Sequence, residues 1–211
     1  MLLTIVDYGV GNLRSIAKSI EKANFDSSLN YSVKVSSDIS DVKKSDKIVL
    51  PGQGSFKACK DGIDNIKGLQ EELNESVLIK KKPIYGICAG MQLFATIGYE
   101  EEKTVGLNWI PGEVIKLDLS LSKLKIPHMG WNELQMENFS LIFKDVINED
   151  HAYFIHSYEF IPKDKKNVSI TTNYGKDVVA AVSFKNIYGS QFHPEKSQKT
   201  GIKILTNFLK L

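Results

Sequence analysis

Short apolar runs and helical spacings take turns over the first hundred residues. Leu2 to Val6 is apolar apart from Thr4 and predicts a buried strand. Past the Gly9-Val10-Gly11 turn, Leu13, Ile16, Ala17 and Ile20 recur at the i, i+3, i+4, i+7 spacing of a helix face. Tyr31 to Val35, Lys47 to Leu50 and Pro83 to Ile87 predict three more strands. The second is followed by the glycine turn Pro51-Gly52-Gln53-Gly54, the third by a turn and a helix over Met91 to Ile97. Strands alternating with helical segments predict right-handed crossovers and a parallel sheet covered on both faces.

From about residue 112 the strands crowd together: Glu113 to Leu117, Tyr153 to Glu159, Val168 to Thr172, Val178 to Phe184 and Ile187 to Phe192. That spacing suits antiparallel additions. A closing helix carries Ile202, Leu205, Phe208 and Leu209 on one side. The expectation is an α/β fold, a mostly parallel sheet flanked by helices with antiparallel additions in the C-terminal half. It forms a single domain over residues 1–211, because no linker or low-complexity stretch divides it. Lys80-Lys81-Lys82 reads as the solvated end of a helix ahead of Pro83.

A chain of 211 residues buries enough surface to need no disulfide staples. Its 27 Lys and Arg against 25 Asp and Glu give a net charge of +2, without the basic excess of a nucleic-acid binder. The N-terminus has no basic leader, and no stretch approaches the ~18 uncharged apolar residues of a membrane span. A cytoplasmic protein with no nucleic-acid or membrane partner is expected. Cys59 and Cys88 form no paired framework, which points to a reducing compartment and free thiols.

The sharpest local signal is Gly86-Ile87-Cys88-Ala89-Gly90, set between an apolar strand and a helix. It has the form of a nucleophile elbow, whose flanking glycines permit a tight turn that projects the central side chain at the sheet's carboxyl edge. A helix start favours thiolate, and the amide after the nucleophile, Ala89 N–H, is placed to meet an oxyanion. A buried structural cysteine is the alternative. Of the four histidines, His128, His151, His156 and His193, only His193 has a carboxylate in immediate reach. In Gln191-Phe192-His193-Pro194-Glu195 the alternation of an extended chain puts positions 193 and 195 on one side, where Glu195 would orient the imidazole. The alternative is a surface His beside a surface Glu.

The Gly52-Gln53 turn follows another core strand and so lies at the same sheet edge, where a peptide N–H can serve a developing oxyanion; an ordinary tight turn is the alternative. Cys59 reads as packing. The Gly9-Val10-Gly11 turn is not a dinucleotide fingerprint, since Arg14 stands where the third glycine belongs. His151 and His156 fall on opposite faces of a strand and share no metal. No cofactor and no metal are expected.

With an elbow cysteine, a glycine loop after an earlier strand and His193-Pro194-Glu195 near the C-terminus, the chain resembles the class I (triad) glutamine amidotransferases, nearly end to end. The likeness extends to Asp7-Tyr8-Gly9-Val10-Gly11-Asn12-Leu13, Pro127-His128-Met129-Gly130-Trp131-Asn132, Tyr153-Phe154-Ile155-His156-Ser157-Tyr158 and Gln191-Phe192-His193-Pro194-Glu195-Lys196-Ser197. The resemblance implies a flavodoxin-like sheet, Cys88 as nucleophile, His193 as general base and acid, and Glu195 as orienter. It also implies substrate contacts from Gln92 and from the backbone around Gly52 and Ser157-Tyr158. Asn12, Met129, Trp131 and Tyr153 match residues at the contact with a HisF-like (β/α)₈ synthase subunit, which in a heterodimer takes the ammonia released from glutamine and makes imidazole glycerol phosphate in histidine biosynthesis. Ala89 stands where the family commonly has Leu, and Gln53 and Ser55 stand where Val and Ala or His are usual. Two other readings stay open: a similar subunit that feeds ammonia to amidino sugars of surface polysaccharides, and a non-catalytic binding subunit. Gln92 and His193-Pro194-Glu195 fit a cysteine peptidase sharing the elbow less well.

Overall fold

The computed structural model describes residues 1–120 and 122–211. The first half runs β1 (Leu2–Val6), α1 (Leu13–Asp26), β2 (Ser32–Ser36), α2 (Ile39–Lys44), β3 (Lys47–Leu50), α3 (Phe56–Asp64), α4 (Leu69–Asn74), β4 (Ile84–Ile87) and α5 (Ala89–Gln92). Two short strands follow, β5 (Ile97–Gly98) and β6 (Thr104–Val105), then β7 (Gly112–Lys116), β8 (His128–Glu133), β9 (Gln135–Met136), β10 (His151–His156), β11 (Tyr158–Pro162) and β12 (Val168–Asn173). β13 (Asp177–Phe184), β14 (Ile187–Ser190) and α6 (Gln198–Leu209) complete the chain.

Eight strands form the main sheet in the order β2-β1-β3-β4-β14-β13-β12-β9. The pairs from β2 to β14 are parallel and those from β14 to β9 antiparallel. Successive strand residues point to opposite faces. Leu3, Ile5, Val49, Tyr85 and Ile87 therefore pack under α1 and α6, while Val6, Ile48, Leu50 and Ile84 pack under α3 and α4. Two smaller sheets stand apart, β10-β8 and β11-β7-β5-β6. Only part of the C-terminal half thus extends the main sheet; β7, β10 and β11 do not join it.

Two expected elements come out differently, for physical reasons. The helix expected over Met91 to Ile97 is a single turn that ends at Gln92. The carbonyls of Leu93, Phe94 and Ala95, which a longer helix would use, accept the N–H groups of Leu107, Trp109, Ile110 and Asn108 at 2.8–3.0 Å. Ile97 is consequently a strand residue. The strand expected over Tyr153 to Glu159 is two strands, because β10 pairs with β8 and β11 pairs with β7, in different sheets. The chain turns at Ser157, whose carbonyl accepts Leu117 N–H at 2.9 Å. Lys80 closes a π-helical turn over Glu75–Ile79, and Lys80 and Lys81 are exposed.

Candidate active site

At Cys88 the chain passes from β4 to α5 with φ 54° and ψ −117°. A non-glycine residue held there stores on the order of 1–3 kcal/mol, a cost seen chiefly where geometry serves chemistry. The flanking glycines are required by close approach. A Cβ on Gly86 would meet the Phe94 ring at 2.5 Å, and one on Gly90 would meet the Leu50 carbonyl oxygen at 2.1 Å. A Cβ on Gly52 would be as tight, 2.1 Å from the Gly90 nitrogen. Backbone against backbone, the loop after β3 is pressed on the elbow.

His193 and Glu195 meet through a geometry other than the extended chain expected. Pro194–Lys196 is a 3₁₀ turn. It folds Glu195 back so that Oε1 accepts from His193 Nδ1 at 2.8 Å, with the carboxylate side chain only 2% exposed. The turn is tied to β10: His193 N–H donates to Tyr153 O at 2.9 Å, and Ser197 Oγ donates to His193 O while accepting Tyr153 N–H. Burial opposes charge on His193, but hydrogen bonds to Cys88 and Glu195 and the Coulombic pull of both outweigh it, and the imidazole is pushed up to about 10. The ring is held as a cation between sulfur and carboxylate.

Cys88, Ala89, Gln92, His193, Gln53, Gly54, Ser157 and Tyr158 line one cavity of about 240 Å³. Gly52 does not line it but stands behind, against Gly90. Gln92 is buried and already engaged, its Nε2 donating to Tyr158 O at 3.1 Å and to Gln191 Oε1 at 2.8 Å. Gln53 and Gly54, from the loop after β3, stand in the cavity wall with Cys88. Tyr8 OH donates to Pro51 O. Burial pushes the Cys59 thiol up to about 12.

Several residues at or beside the cavity escape a reading of the sequence, Ile155 and His156 of its wall among them. Gln191 Nε2 reaches Cys88 Sγ at 3.5 Å; its one signal is a polar residue between a buried strand and His193. Glu100 and Lys196 put one anion and one cation into the wall. Glu100 Oε2 accepts Phe56 N–H at 2.7 Å, and burial raises its pKa. Nothing local distinguishes it from its neighbours Glu101 and Glu102.

Beside the cavity the outer face of β8 and β10 presents Met129, 63% exposed, and Trp131, 48% exposed, across from Ile155 and Tyr153. Trp131 and Tyr153 meet edge to face at 6.1 Å. Asn12 caps α1, its side-chain oxygen accepting Ser15 N–H. His151 is exposed near Glu133, whereas His128 and His156 are buried and bonded to each other.

Residues 4–211 match the family described as glutamine amidotransferase class-I. The chain is 50% identical over all 211 residues, and over the full length of the relative, to imidazole glycerol phosphate synthase subunit HisH of Pelagibacter ubique. It is 44% identical to the protein of the same name in Brucella suis, with 100% of this chain and 99% of that one covered. Among solved structures, a putative GMP synthase protein from Thermoplasma acidophilum superposes with a TM-score of 0.70 at 19% identity, covering 100% of this chain and 92% of that one. A glutamine amidotransferase superposes with a TM-score of 0.72 at 14% identity, covering 99% of each. The two structures speak for the fold alone.

Proposed function

The chain belongs to the class-I glutamine amidotransferase family, and from that premise we propose that it is the glutaminase subunit of an imidazole glycerol phosphate synthase, releasing ammonia for a separate (β/α)₈ synthase subunit in histidine biosynthesis. One observation carries the chemistry: a strained Cys88 opens on the same small cavity as a His193 that Glu195 grips at 2.8 Å. Cys88 sulfur attacks the side-chain amide carbon of glutamine, and Ala89 N–H stabilises the oxyanion. His193 gives its proton to the departing ammonia, then takes one from water as that water hydrolyses the thioester to glutamate. Glu195 keeps the ring oriented and favours its cationic form. Glu100 and Lys196 offer opposite charges to the ammonium and carboxylate of the substrate's α-carbon.

The partner reading rests on the Met129–Trp131–Tyr153–Ile155 face, an apolar surface at the cavity's edge, since Ile155 also lines the cavity. The relatives' names favour the histidine route over an amidino-sugar route. A backbone strained at Cys88 is difficult to reconcile with a non-catalytic binding role. A cytoplasmic location accords with those biosynthetic relatives, and among the described residues no helix is long and apolar enough to cross a membrane. Because the two glycines of the Gly52-Gln53-Gly54 loop hold no single peptide orientation firmly, docking of the partner should raise kcat. The test is glutamate release and acceptor product with and without the barrel-type synthase and its acceptor. A rise of about tenfold or more with both present is expected; no product in the reconstituted pair refutes the assignment.

A further inference from the structure

Two buried histidines that the mechanism does not use connect β8 to the substrate cavity, and one of them, His156, is part of its wall. His128, on β8, stacks between the rings of Phe154 and Tyr174, with centroids 4.6 and 4.0 Å away. Its Nδ1 is 3.0 Å from His156 Nε2, and its Nε2 is 3.2 Å from Asn132 Nδ2. His156, on β10, has Nδ1 2.8 Å from the carbonyl oxygen of Tyr158, the same oxygen that Gln92 Nε2 bonds.

The partners fix every proton. A carbonyl oxygen only accepts, so His156 carries its proton on Nδ1. Its Nε2 is then an acceptor, which requires the proton of His128 on Nδ1, and His128 Nε2 in turn accepts from the Asn132 amide. Asn132 closes the chain with its remaining donor on Asn173 O at 2.9 Å and its own oxygen accepting Glu133 N–H. Both rings are neutral: burial lowers His128 to about 4 and His156 to about 3, the latter also under the charge of His193. The result is a directional series, Asn132 to His128 to His156 to Tyr158 O, with no unpaired member.

Its end is functionally placed. Tyr158 follows the turn at Ser157 where β10 leaves for β11, a turn held by no common sheet. Ser157 and Tyr158 line the cavity, and the donors on Tyr158 O are His156 Nδ1 and Gln92 Nε2. Gln92 in turn bonds Gln191, which reaches Cys88. We propose that His128 and His156 are positioning residues for glutamine, a neutral imidazole pair that locks the Ser157–Tyr158 turn and Gln92 in their substrate-binding geometry and ties that geometry to strand β8. The inference rests on the glutaminase reading for its substrate. His156 contributes to the cavity wall, yet both residues act through the turn rather than on the reacting atoms.

The experiment uses the full chain with its synthase partner. His156→Phe removes the donor and should raise the KM for glutamine at least tenfold with kcat changed less than threefold. His156→Asn, which restores an N–H near the Nδ1 position, should return KM to within threefold of the unmutated protein. His128→Phe keeps the ring stack but leaves His156 Nε2 unpaired, and should raise KM by a smaller factor. His151→Ala, exposed on the same strand, should change neither constant. Unchanged KM in a folded His156→Phe variant whose Cys88 still alkylates stoichiometrically overturns the proposal, as does a loss confined to kcat. A second measurement needs no variant to fold: long-range ¹H–¹⁵N spectra of the unmutated protein should show both rings protonated on Nδ1 and bare on Nε2 at neutral pH. A proton on Nε2 of either ring overturns it. Absence of turnover in the unmutated complex would refute the glutaminase reading instead.

Discussion

The two halves of the site are built by different means. The nucleophile side is made of backbone: Gly52, Gly86 and Gly90 let β3, β4 and α5 approach until carbonyl and amide touch, and Cys88 is strained into the gap. The base side is made of side chains brought from distant strands, with His193 tied to Glu195, Tyr153 and Ser197, and the floor of the cavity tied through Gln92, His156 and His128. The first half tolerates no added atom. The second tolerates replacement wherever a donor or acceptor is kept, because its energy lies in individual hydrogen bonds of about 1 kcal/mol each, roughly twice that for the charged His193–Glu195 pair.

The widest break in this comparison is chemical. Cys88→Ala should lower glutamate release by roughly 10⁴-fold or more, read by steady-state assay, with the far-ultraviolet spectrum unchanged. Next comes the backbone contact. Gly90→Ala drives a methyl into the Leu50 carbonyl and should cost about 3 kcal/mol of unfolding free energy, seen as a lower denaturant midpoint at constant slope. Trp131→Ala, on the partner face, should weaken synthase binding by about 2 kcal/mol in titration calorimetry while leaving thermal stability nearly unchanged. Gln191→Leu removes the contact to sulfur together with the acceptor of Gln92 Nε2 and should lower kcat about fivefold to tenfold, a loss of about 1 kcal/mol that contrasts with the elbow's intolerance.

A pH series sharpens the comparison further. His193 is raised above its ordinary value, so its contribution to stability is complete below pH about 6.5 and is lost as pH climbs toward about 10. Denaturation between pH 6 and 10 should show stability falling across that window, with the slope reduced in His193→Asn. An identical slope in the variant would mean that some other group titrates.

The same division explains what is legible in the sequence and what is not. Gly86, Cys88, Gly90 and the Gly52 turn are close in the chain or announced by glycines after core strands, so the elbow can be read directly. Adjacency pairs His193 with Glu195, but for an extended chain; Pro194 starts a 3₁₀ turn instead, and the pair still meets. The length of α5 is hidden because periodicity over Met91 to Ile97 cannot register that residues 107–110 take the helix's carbonyls. Likewise no local signal separates β10 from β11, since the break at Ser157 is set by β8 and β7 competing for one apolar run. Glu100 and Gln191 enter the site only through tertiary folding.

The central claim is that Cys88 carries the acyl group of glutamine. Mixing the synthase-bound protein with isotopically labelled glutamine, quenching in acid within one turnover and mapping the label by peptide mass tests it directly. The account predicts a γ-glutamyl thioester on Cys88 that accumulates in the burst and is absent from the buried Cys59. Glutamate release without labelled Cys88, or with the label on Cys59, would contradict it.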